Sequence, residues 1–167
     1  SVDTLGAGHL PSYGYARETA PFVAELAARG TLFEHAFAAA PSTSPSHMTI
    51  FTSQEPSVHG LLGNVALAVL PRGLPTLAEA LRAQGFATGA VTEGGAVAVH
   101  MGFERGFDSF RENPVPIPRR PGVQAPVTFA EGLEWLRSQR GRRSFLFLHT
   151  YEVHGPYFAP DAYAQLF

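Results

Sequence analysis

The sequence predicts an α/β fold in which helices and strands alternate around a largely buried sheet. Three apolar runs of strand length, rich in Phe, Val and Leu, each follow a segment that carries the signals of a helix. The runs cover residues 31–37, 86–91 and 144–149. This alternation is typical of proteins whose helices pack on the faces of a mostly parallel sheet.

Two of the three predicted helices begin with the same pattern. Thr76 with Glu79, and Thr128 with Glu131, form capping boxes, in which the hydroxyl and the carboxylate each satisfy a backbone N–H group of the first turn. An earlier helix begins at a proline and ends before Gly30. The predicted helices cover residues 21–28, 77–84 and 129–140.

The composition indicates a folded domain and excludes several classes of function. The chain of 167 residues is 45% apolar and 16% charged, with a formal net charge of −2. These values are unlike those of a disordered tail, and they give no electrostatic reason to expect a nucleic-acid partner. No apolar run is long enough for a membrane span, and the lack of cysteine excludes disulfides, thiolate zinc sites and cysteine nucleophiles. Nothing in the sequence indicates a cellular compartment.

Both ends of the sequence resemble interrupted elements. Residues 1–3 are similar to the end of a strand, and residues 163–167 stop within a pattern that has no terminal cap. We therefore expect residues 1–167 to form one domain or a large part of one. A proline-rich stretch over residues 113–121 is expected to be an extended surface loop.

Polar residues follow the predicted strands. In open α/β sheets the ligand crevice lies outside the carboxyl ends of the strands, so these positions are the first candidates for a site. A further polar segment, residues 41–52, lies between the apolar runs 31–37 and 86–91. The strand-end candidates are Asp3, Thr92, Glu93, His149, Glu152 and His154.

The segment of residues 41–52 predicts a helix with Thr43 at its N-terminus. Pro45 suits the first helical position and Ser44 suits the N-cap. Free N–H groups and the positive end of the helix dipole favour an anion at this point and ease deprotonation of a hydroxyl. A divalent cation would do so more strongly, and Asp3 is a suitable hard oxygen ligand for it. An ordinary capped helix without a site explains the same spacing.

Two of the histidines occur close together at a strand end. His149 and His154 flank Glu152, but they lack the i, i+4 spacing of a helical zinc pair. We therefore interpret His154 as a contact to a substrate oxygen or as a general acid. The remaining unpatterned histidines, interpreted as structural or exposed, are His9, His35 and His100.

Six blocks of the chain carry a family pattern in a fixed order. They are residues 2–15, 22–37, 41–52, the His59-Gly60 pair with Asn64, residues 103–110 with Gly106-Phe107-Asp108, and residues 145–157. In these blocks the chain resembles the N-terminal part of the sulfatase family, within the alkaline-phosphatase-like superfamily. The resemblance implies a three-layer α/β/α sandwich with a largely parallel mixed sheet. It also implies that residues 1–167 are the N-terminal part of a single catalytic domain, with further metal ligands in a later block.

The resemblance assigns roles to individual residues. Thr43 occupies the position of the nucleophile, two residues before the Pro45-Ser46 pair. Asp3 and Thr43 would bind one or two divalent cations, with Ca, Mg, Mn and Zn all open. His47 and His154 would stabilise the nonbridging oxygens during transfer. The resemblance further implies two substrate contacts of second rank, Asn64 and His149.

Two departures from the family pattern shape the functional hypothesis. Sulfatases use a formylglycine made from Cys or Ser, which a threonine cannot form, so Thr43 favours phosphate over sulfate esters. The expected enzyme is a metal-dependent hydrolase or transferase that forms a covalent intermediate on Thr43. Its substrate would be a small-molecule, glycan or lipid ester. Gly6 and Gly8 replace charged residues of relatives, which motivates a catalytically impaired binding or structural domain as the alternative. A second alternative is an unrelated α/β binding domain, in which Asp3, Thr43 and His154 would lie far apart.

Overall fold

The computed structural model describes residues 1–64, 69–114, 124–157 and 159–165. The chain divides into two compact units, one formed by Ser1–Asp3 with Ala39–Phe167 and the other by Thr4–Ala38. The described residues form six α-helices and three strands. The helices are α1 (Pro21–Arg29), α2 (Thr43–Thr52), α3 (Pro56–His59), α4 (Leu77–Ala83), α5 (Gln124–Ser138) and α6 (Asp161–Ala164), and the strands are β1 (Ala87–Thr92), β2 (Ser109–Glu112) and β3 (Ser144–Leu148).

The larger unit is built on a parallel sheet. The strand order is β2-β1-β3, and β1 pairs in parallel with both neighbours. Every residue of β1 is buried, as expected for the central strand of a sheet covered on both faces. Beyond β3, Val2 forms an isolated parallel bridge with Thr150. The predicted runs 86–91 and 144–149 are therefore confirmed as strands, and β2 is a short strand that the sequence patterns missed.

Helices cover both faces of this sheet. On one face of β3, the Phe147 ring lies 4.9 Å from the Phe51 ring of α2. On the other face, a Cβ added to Gly132 of α5 would lie only 2.6 Å from Leu148 Cδ2. Because successive side chains of a strand point to opposite faces, α2 and α5 lie on opposite sides of β3. The α/β class with a parallel sheet between helices is confirmed.

The core of the larger unit lies between α2 and the segments that surround it. Met48 and Phe51 of α2 are 0% and 3% exposed, and the Phe51 ring packs edge-on against Phe103 at 5.6 Å. Ile50, on the same helix, is 55% exposed because it lies on the opposite side. The buried residues that complete the cluster are Leu61, Leu70, Val97, Met101 and Phe103. This packing holds α2 in place, and α2 carries Thr43 at its first position.

One predicted capping box is present and the other is not. At α4 the Glu79 N–H donates to Thr76 Oγ1 at 3.1 Å, and the Thr76 N–H donates to Glu79 Oε2 at 2.8 Å. Helix α5 instead begins at Gln124, so Thr128 lies inside it. Thr128 Oγ1 is buried without a hydrogen-bond partner among the described residues. The predicted box at Thr128 is wrong because the helix starts a full turn earlier.

The smaller unit, Thr4–Ala38, contains α1 and two short 3-10 helices, Ala7–His9 and Pro11–Tyr13. Helix α1 matches its predicted position. Residues 31–37 do not form the predicted strand, and Phe33 and Phe37 are 71% and 89% exposed. An apolar run becomes a strand only where another strand is available to pair with it, and within this unit the described residues offer none.

Two further expectations concerned membrane spans and the proline-rich stretch. No helix among the described residues is long and apolar enough to cross a membrane. Most of the proline-rich stretch predicted to be a surface loop, residues 115–121, lies outside the described residues.

Candidate active site

Asp3 lies at the carboxyl end of the sheet, next to β3. Its N–H donates to the Thr150 carbonyl at 2.9 Å, and the Thr150 N–H donates to the Ser1 carbonyl at 3.2 Å. These bonds extend the parallel pairing past the end of β3. The Asp3 side chain is 6% exposed. The sequence placed Asp3 at a strand end, and the structure places it there.

Thr43 is the first residue of α2, and Ser42 is the N-cap, with extended backbone angles of φ −125° and ψ 152°. The expected start, with Ser44 as the N-cap and Pro45 as the first helical residue, is therefore two residues too late. Proline is tolerated at its actual place, the third helical residue, because the N–H groups of the first turn need no partner within the helix. The nucleophile candidate thus lies within the first turn, at the positive end of the helix dipole.

Three of the predicted site residues converge. Thr43 Oγ1 donates to Asp3 Oδ2 at 3.3 Å, and His154 Nε2 lies 3.8 Å from the same oxygen. His154 Nδ1 is 2.6 Å from the Gly155 carbonyl, so Nδ1 carries a proton and Nε2 is the nitrogen turned toward Asp3. This convergence contradicts the unrelated binding domain, which required the three residues to be far apart.

His47 is tied to the backbone beside the nucleophile candidate. Its Nδ1 lies 2.8 Å from the Thr43 carbonyl and its Nε2 lies 2.8 Å from Ser1 Oγ. Because a carbonyl only accepts, Nδ1 donates, and in the neutral ring Nε2 accepts from the Ser1 hydroxyl. Burial lowers the pKa of His47, while the Thr43 carbonyl and the Asp3 charge partly oppose that shift. His47 was expected to contact a nonbridging oxygen of the substrate, but in the structure both of its ring nitrogens have partners within the protein.

His149 is enclosed between two other rings. Its centroid lies 4.7 Å from that of His47 and 4.6 Å from that of Tyr151, both edge-on. The side chain is 0% exposed, and neither ring nitrogen has a hydrogen-bond partner in the described part of the chain. Burial, with a smaller contribution from His47, lowers the pKa of His149 to about 3. His149 is therefore a neutral, enclosed ring behind the site.

Asn64 is bound to the start of α2. Its Oδ1 accepts a hydrogen bond from the Ser44 N–H at 2.9 Å. Since Pro45 has no N–H, this bond leaves fewer free donors at the helix N-terminus than the sequence led us to expect. Asn64 thus contacts the segment that carries Thr43.

Two residues of the site neighbourhood have roles that sequence reasoning missed. The Ser44 hydroxyl is fully buried and donates to the Ala96 carbonyl at 2.8 Å. The Tyr151 N–H donates to Glu93 Oε2 at 2.7 Å. The position of Tyr151 between two strand-end histidines was the only signal in the sequence that could have singled it out.

The residues present match a hard divalent cation in chemical type but not in number. Asp3 and Thr43 offer a carboxylate and a hydroxyl oxygen close together. Within residues 1–64, 69–114, 124–157 and 159–165, no group of three His, Asp or Glu side chains could hold a metal ion. Calcium and magnesium take about six or more oxygen ligands, so these two groups would be only part of a metal site.

The whole described chain is similar to proteins of one known family. The sulfatase family model matches residues 1–167, so the chain belongs to the sulfatase family. It is 29% identical to arylsulfatase A of Bos taurus, an alignment that covers 97% of this chain and 42% of the relative. It is 30% identical to an arylsulfatase of Hemicentrotus pulcherrimus over 67% of this chain and 23% of that protein. The chain therefore spans less than half of the length of these relatives.

A solved structure shows the same fold. The phosphonate monoester hydrolase of Agrobacterium radiobacter superposes with a TM-score of 0.84 at 20% sequence identity. The superposition covers 100% of this chain and 42% of that one. The α/β fold described above therefore corresponds to less than half of the fold of that hydrolase.

Proposed function

We propose that the protein containing this chain is an ester hydrolase or transferase that attacks phosphorus or sulfur with the Thr43 hydroxyl. The observation that carries the proposal is the convergence of Thr43 and His154 on one carboxylate oxygen of Asp3. Membership of the sulfatase family supports the reaction class. We also propose that residues 1–167 are the first part of one catalytic domain, as expected from the sequence.

In the first step, the Thr43 hydroxyl loses its proton to water, its oxygen attacks the phosphorus or sulfur atom, and the bond to the leaving alcohol breaks. His154, whose Nε2 faces the site, donates a proton to the leaving oxygen when it is protonated, or stabilises a nonbridging oxygen. In the second step, water or an acceptor hydroxyl attacks the intermediate and loses its proton to solvent. The bond to the Thr43 oxygen breaks, and that oxygen takes a proton from solvent, which restores the Thr43 hydroxyl. Asp3 accepts the hydrogen bond that orients Thr43 before the attack.

A divalent cation would be held by Asp3 and Thr43 together with ligands beyond the described residues. When bound, such a cation lowers the pKa of a coordinated hydroxyl by several units, which helps to ionise an alcohol. The family and the oxygen ligands support this part of the proposal, and the metal could be Ca, Mg, Mn or Zn.

We assign His47, Asn64 and His149 to supporting roles. His47 holds the Thr43 carbonyl, and Asn64 holds the next N–H of the helix. His149 packs behind His47. In this arrangement the three residues orient α2. Contact of His47 or Asn64 with the substrate would require their present hydrogen bonds to break.

Phosphorus is the favoured centre. A threonine cannot become the formylglycine that sulfatases use, whereas a threonine hydroxyl can carry a phosphoryl group directly. The structural similarity to a phosphonate monoester hydrolase adds support for a phosphorus ester. The substrate is a small-molecule, glycan or lipid ester.

The test uses the full-length protein, its Thr43→Ala variant and Thr31→Ala, an exposed threonine outside the site, as a matched control. Each is assayed with an aryl sulfate, a phosphomonoester, a phosphodiester and a phosphonate monoester. We expect Thr43→Ala to lose about a thousandfold or more of the activity, as for removal of a nucleophile, and Thr31→Ala to keep it. Unchanged hydrolysis by Thr43→Ala would remove Thr43 as the nucleophile. Mass spectrometry of rapidly quenched enzyme identifies the group carried on the Thr43 peptide.

A catalytically impaired binding domain is the second candidate. It is favoured because no group of three His, Asp or Glu side chains among the described residues could hold a metal ion. The two candidates differ in metal binding. A cation present at about 100 times its dissociation constant stabilises the native state by about 2.7 kcal/mol, which raises Tm by several degrees. If millimolar Ca, Mg, Mn and Zn leave the Tm of the full-length protein unchanged, the binding domain is favoured over the enzyme.

A further inference from the structure

Tyr151 is hydrogen-bonded to the loop that follows β1. The Tyr151 hydroxyl accepts a hydrogen bond from the Ala96 N–H at 2.9 Å and donates one to the Gly94 carbonyl at 3.2 Å. Gly95, with φ +63°, lies so close that an added Cβ would be 3.2 Å from the phenol oxygen. The backbone of Tyr151 is held as well, through its N–H bond to Glu93. The side chain and the backbone of Tyr151 together thus contact residues throughout the Glu93–Ala96 segment, called the β1 loop below.

The β1 loop is also bonded to the helix that carries Thr43. Ser44 directly follows Thr43, and its buried hydroxyl donates to the Ala96 carbonyl at 2.8 Å. Ala96 therefore accepts a bond from α2 through its carbonyl and donates one to Tyr151 through its N–H. Ala96 therefore connects the start of α2 to Tyr151 through its two backbone hydrogen bonds.

Tyr151 in turn packs against His154. The two ring centroids are 5.8 Å apart with an interplanar angle of 85°, so one ring edge meets the face of the other. Burial raises the pKa of Tyr151 to about 12, which keeps the phenol protonated and able to donate to Gly94. A continuous series of contacts therefore runs from Thr43 through Ser44, the β1 loop and Tyr151 to His154.

We infer that Tyr151 is a positioning residue. Through its hydrogen bonds to the β1 loop, it sets the position of His154 relative to Thr43. The inference rests on the proposed function for its effect on turnover. Catalytic groups must be held within about 0.5 Å of their working geometry, and an error near 1 Å can cost a hundredfold in rate. Neither Tyr151 nor the β1 loop needs to touch the substrate for this role.

The first experiment detects the position of His154 without using turnover. The full-length protein is labelled with ¹⁵N-histidine, and the imidazole signals of His154 are assigned by their loss in His154→Gln. In Tyr151→Phe the ring remains, but the hydrogen bonds of the hydroxyl to Ala96 and Gly94 are lost. We expect the His154 signals to shift or broaden, while those of His59, which is bonded to Thr49 and Leu61, stay in place. Unchanged His154 signals overturn the inference, whether or not the protein is an enzyme.

The second experiment separates positioning from general stability. With any ester that the wild type turns over, we expect Tyr151→Phe to lower kcat by about tenfold and to change KM by less than twofold. Tyr13→Phe is the matched control, because Tyr13 also donates its hydroxyl to a backbone carbonyl, that of Phe33, and both residues belong to the smaller unit. An unchanged kcat in Tyr151→Phe, or an equal loss in Tyr13→Phe, also overturns the inference.

A third variant guards against misfolding of Tyr151→Phe. Ser44→Ala removes the bond between α2 and the β1 loop from the other end and leaves Tyr151 intact. We expect it to move the His154 signals in the same way, and unchanged signals count against the inference. If the wild type hydrolyses none of the four ester classes, the proposed function fails, and the imidazole signals alone still decide the role of Tyr151.

Discussion

Gly106 is the position where the structure predicts the largest effect of a single added methyl group. Its φ is +87°, a conformation that costs a residue with a Cβ about 1–2 kcal/mol. An added Cβ would lie 2.1 Å from the Glu79 backbone nitrogen and 2.6 Å from the Ala78 carbonyl carbon. These are backbone atoms of α4, so no rotation of a side chain can relieve the clash. The Gly106 carbonyl also accepts a hydrogen bond from Thr88 at 2.8 Å, which restrains the segment further.

The expected destabilisation by Gly106→Ala is therefore the conformational cost plus an overpacking cost of about 1–3 kcal/mol. Gly141→Ala is the matched control, because Gly141 has nearly the same φ of +83° but nothing within 4 Å of an added Cβ. We expect Gly141→Ala to lose about 1–2 kcal/mol and Gly106→Ala about 2–5 kcal/mol. Urea unfolding of the full-length protein measures both. Equal losses in the two variants would refute the argument that close packing on α4 requires a glycine.

Two other predictions concern α2 and the ring behind the site. Met48→Ala is expected to destabilise the protein by about 2–5 kcal/mol because Met48 is fully buried, whereas Ile50→Ala, at an exposed position of the same helix, should cost under 1 kcal/mol. Similar losses in thermal unfolding would contradict the assigned core. His149→Phe should leave stability at pH 7 unchanged or higher, because an apolar ring replaces a buried imidazole without hydrogen bonds. The low pKa of His149 means that the unfolded chain binds the proton more readily, so its contribution to stability is complete above pH 6.5 and is lost as the pH falls toward 3. Unfolding measured from pH 7 to 4 should therefore show a shallower acid loss in His149→Phe, and parallel curves would contradict the assignment.

Local patterns predicted those elements whose stabilising groups are close together in the chain. The box at Thr76 and Glu79 forms because each partner lies within the same turn of α4. The strands β1 and β3 were visible because strands of a covered parallel sheet consist largely of apolar residues. Every residue of β1 is buried, and every residue of β3 is partly buried.

The same kinds of pattern failed where a distant segment decided the outcome. Thr128 and Glu131 repeat the capping pattern, but α5 starts at Gln124 and places Thr128 inside the helix. The run 31–37 has the residue types of a strand but no strand to pair with among the described residues of its unit. The strand β2 is half exposed and contains Arg111 and Glu112, so it lacks the apolar run that marked the other two.

The sequence identified Asp3, Thr43 and His154, because carboxylate, hydroxyl and imidazole groups next to strand and helix ends are chemically distinctive. Only the tertiary structure showed that the three meet, with Asp3 and Thr43 in contact although they are 40 positions apart in the chain.

The tertiary structure also decided the surroundings of the site. His47 and Asn64 are hydrogen-bonded to the backbone of α2, and Tyr151 is hydrogen-bonded to the β1 loop. The physical reason is that a residue type specifies which hydrogen bonds a side chain can make. Which partner it meets depends on segments that folding brings together from distant parts of the chain.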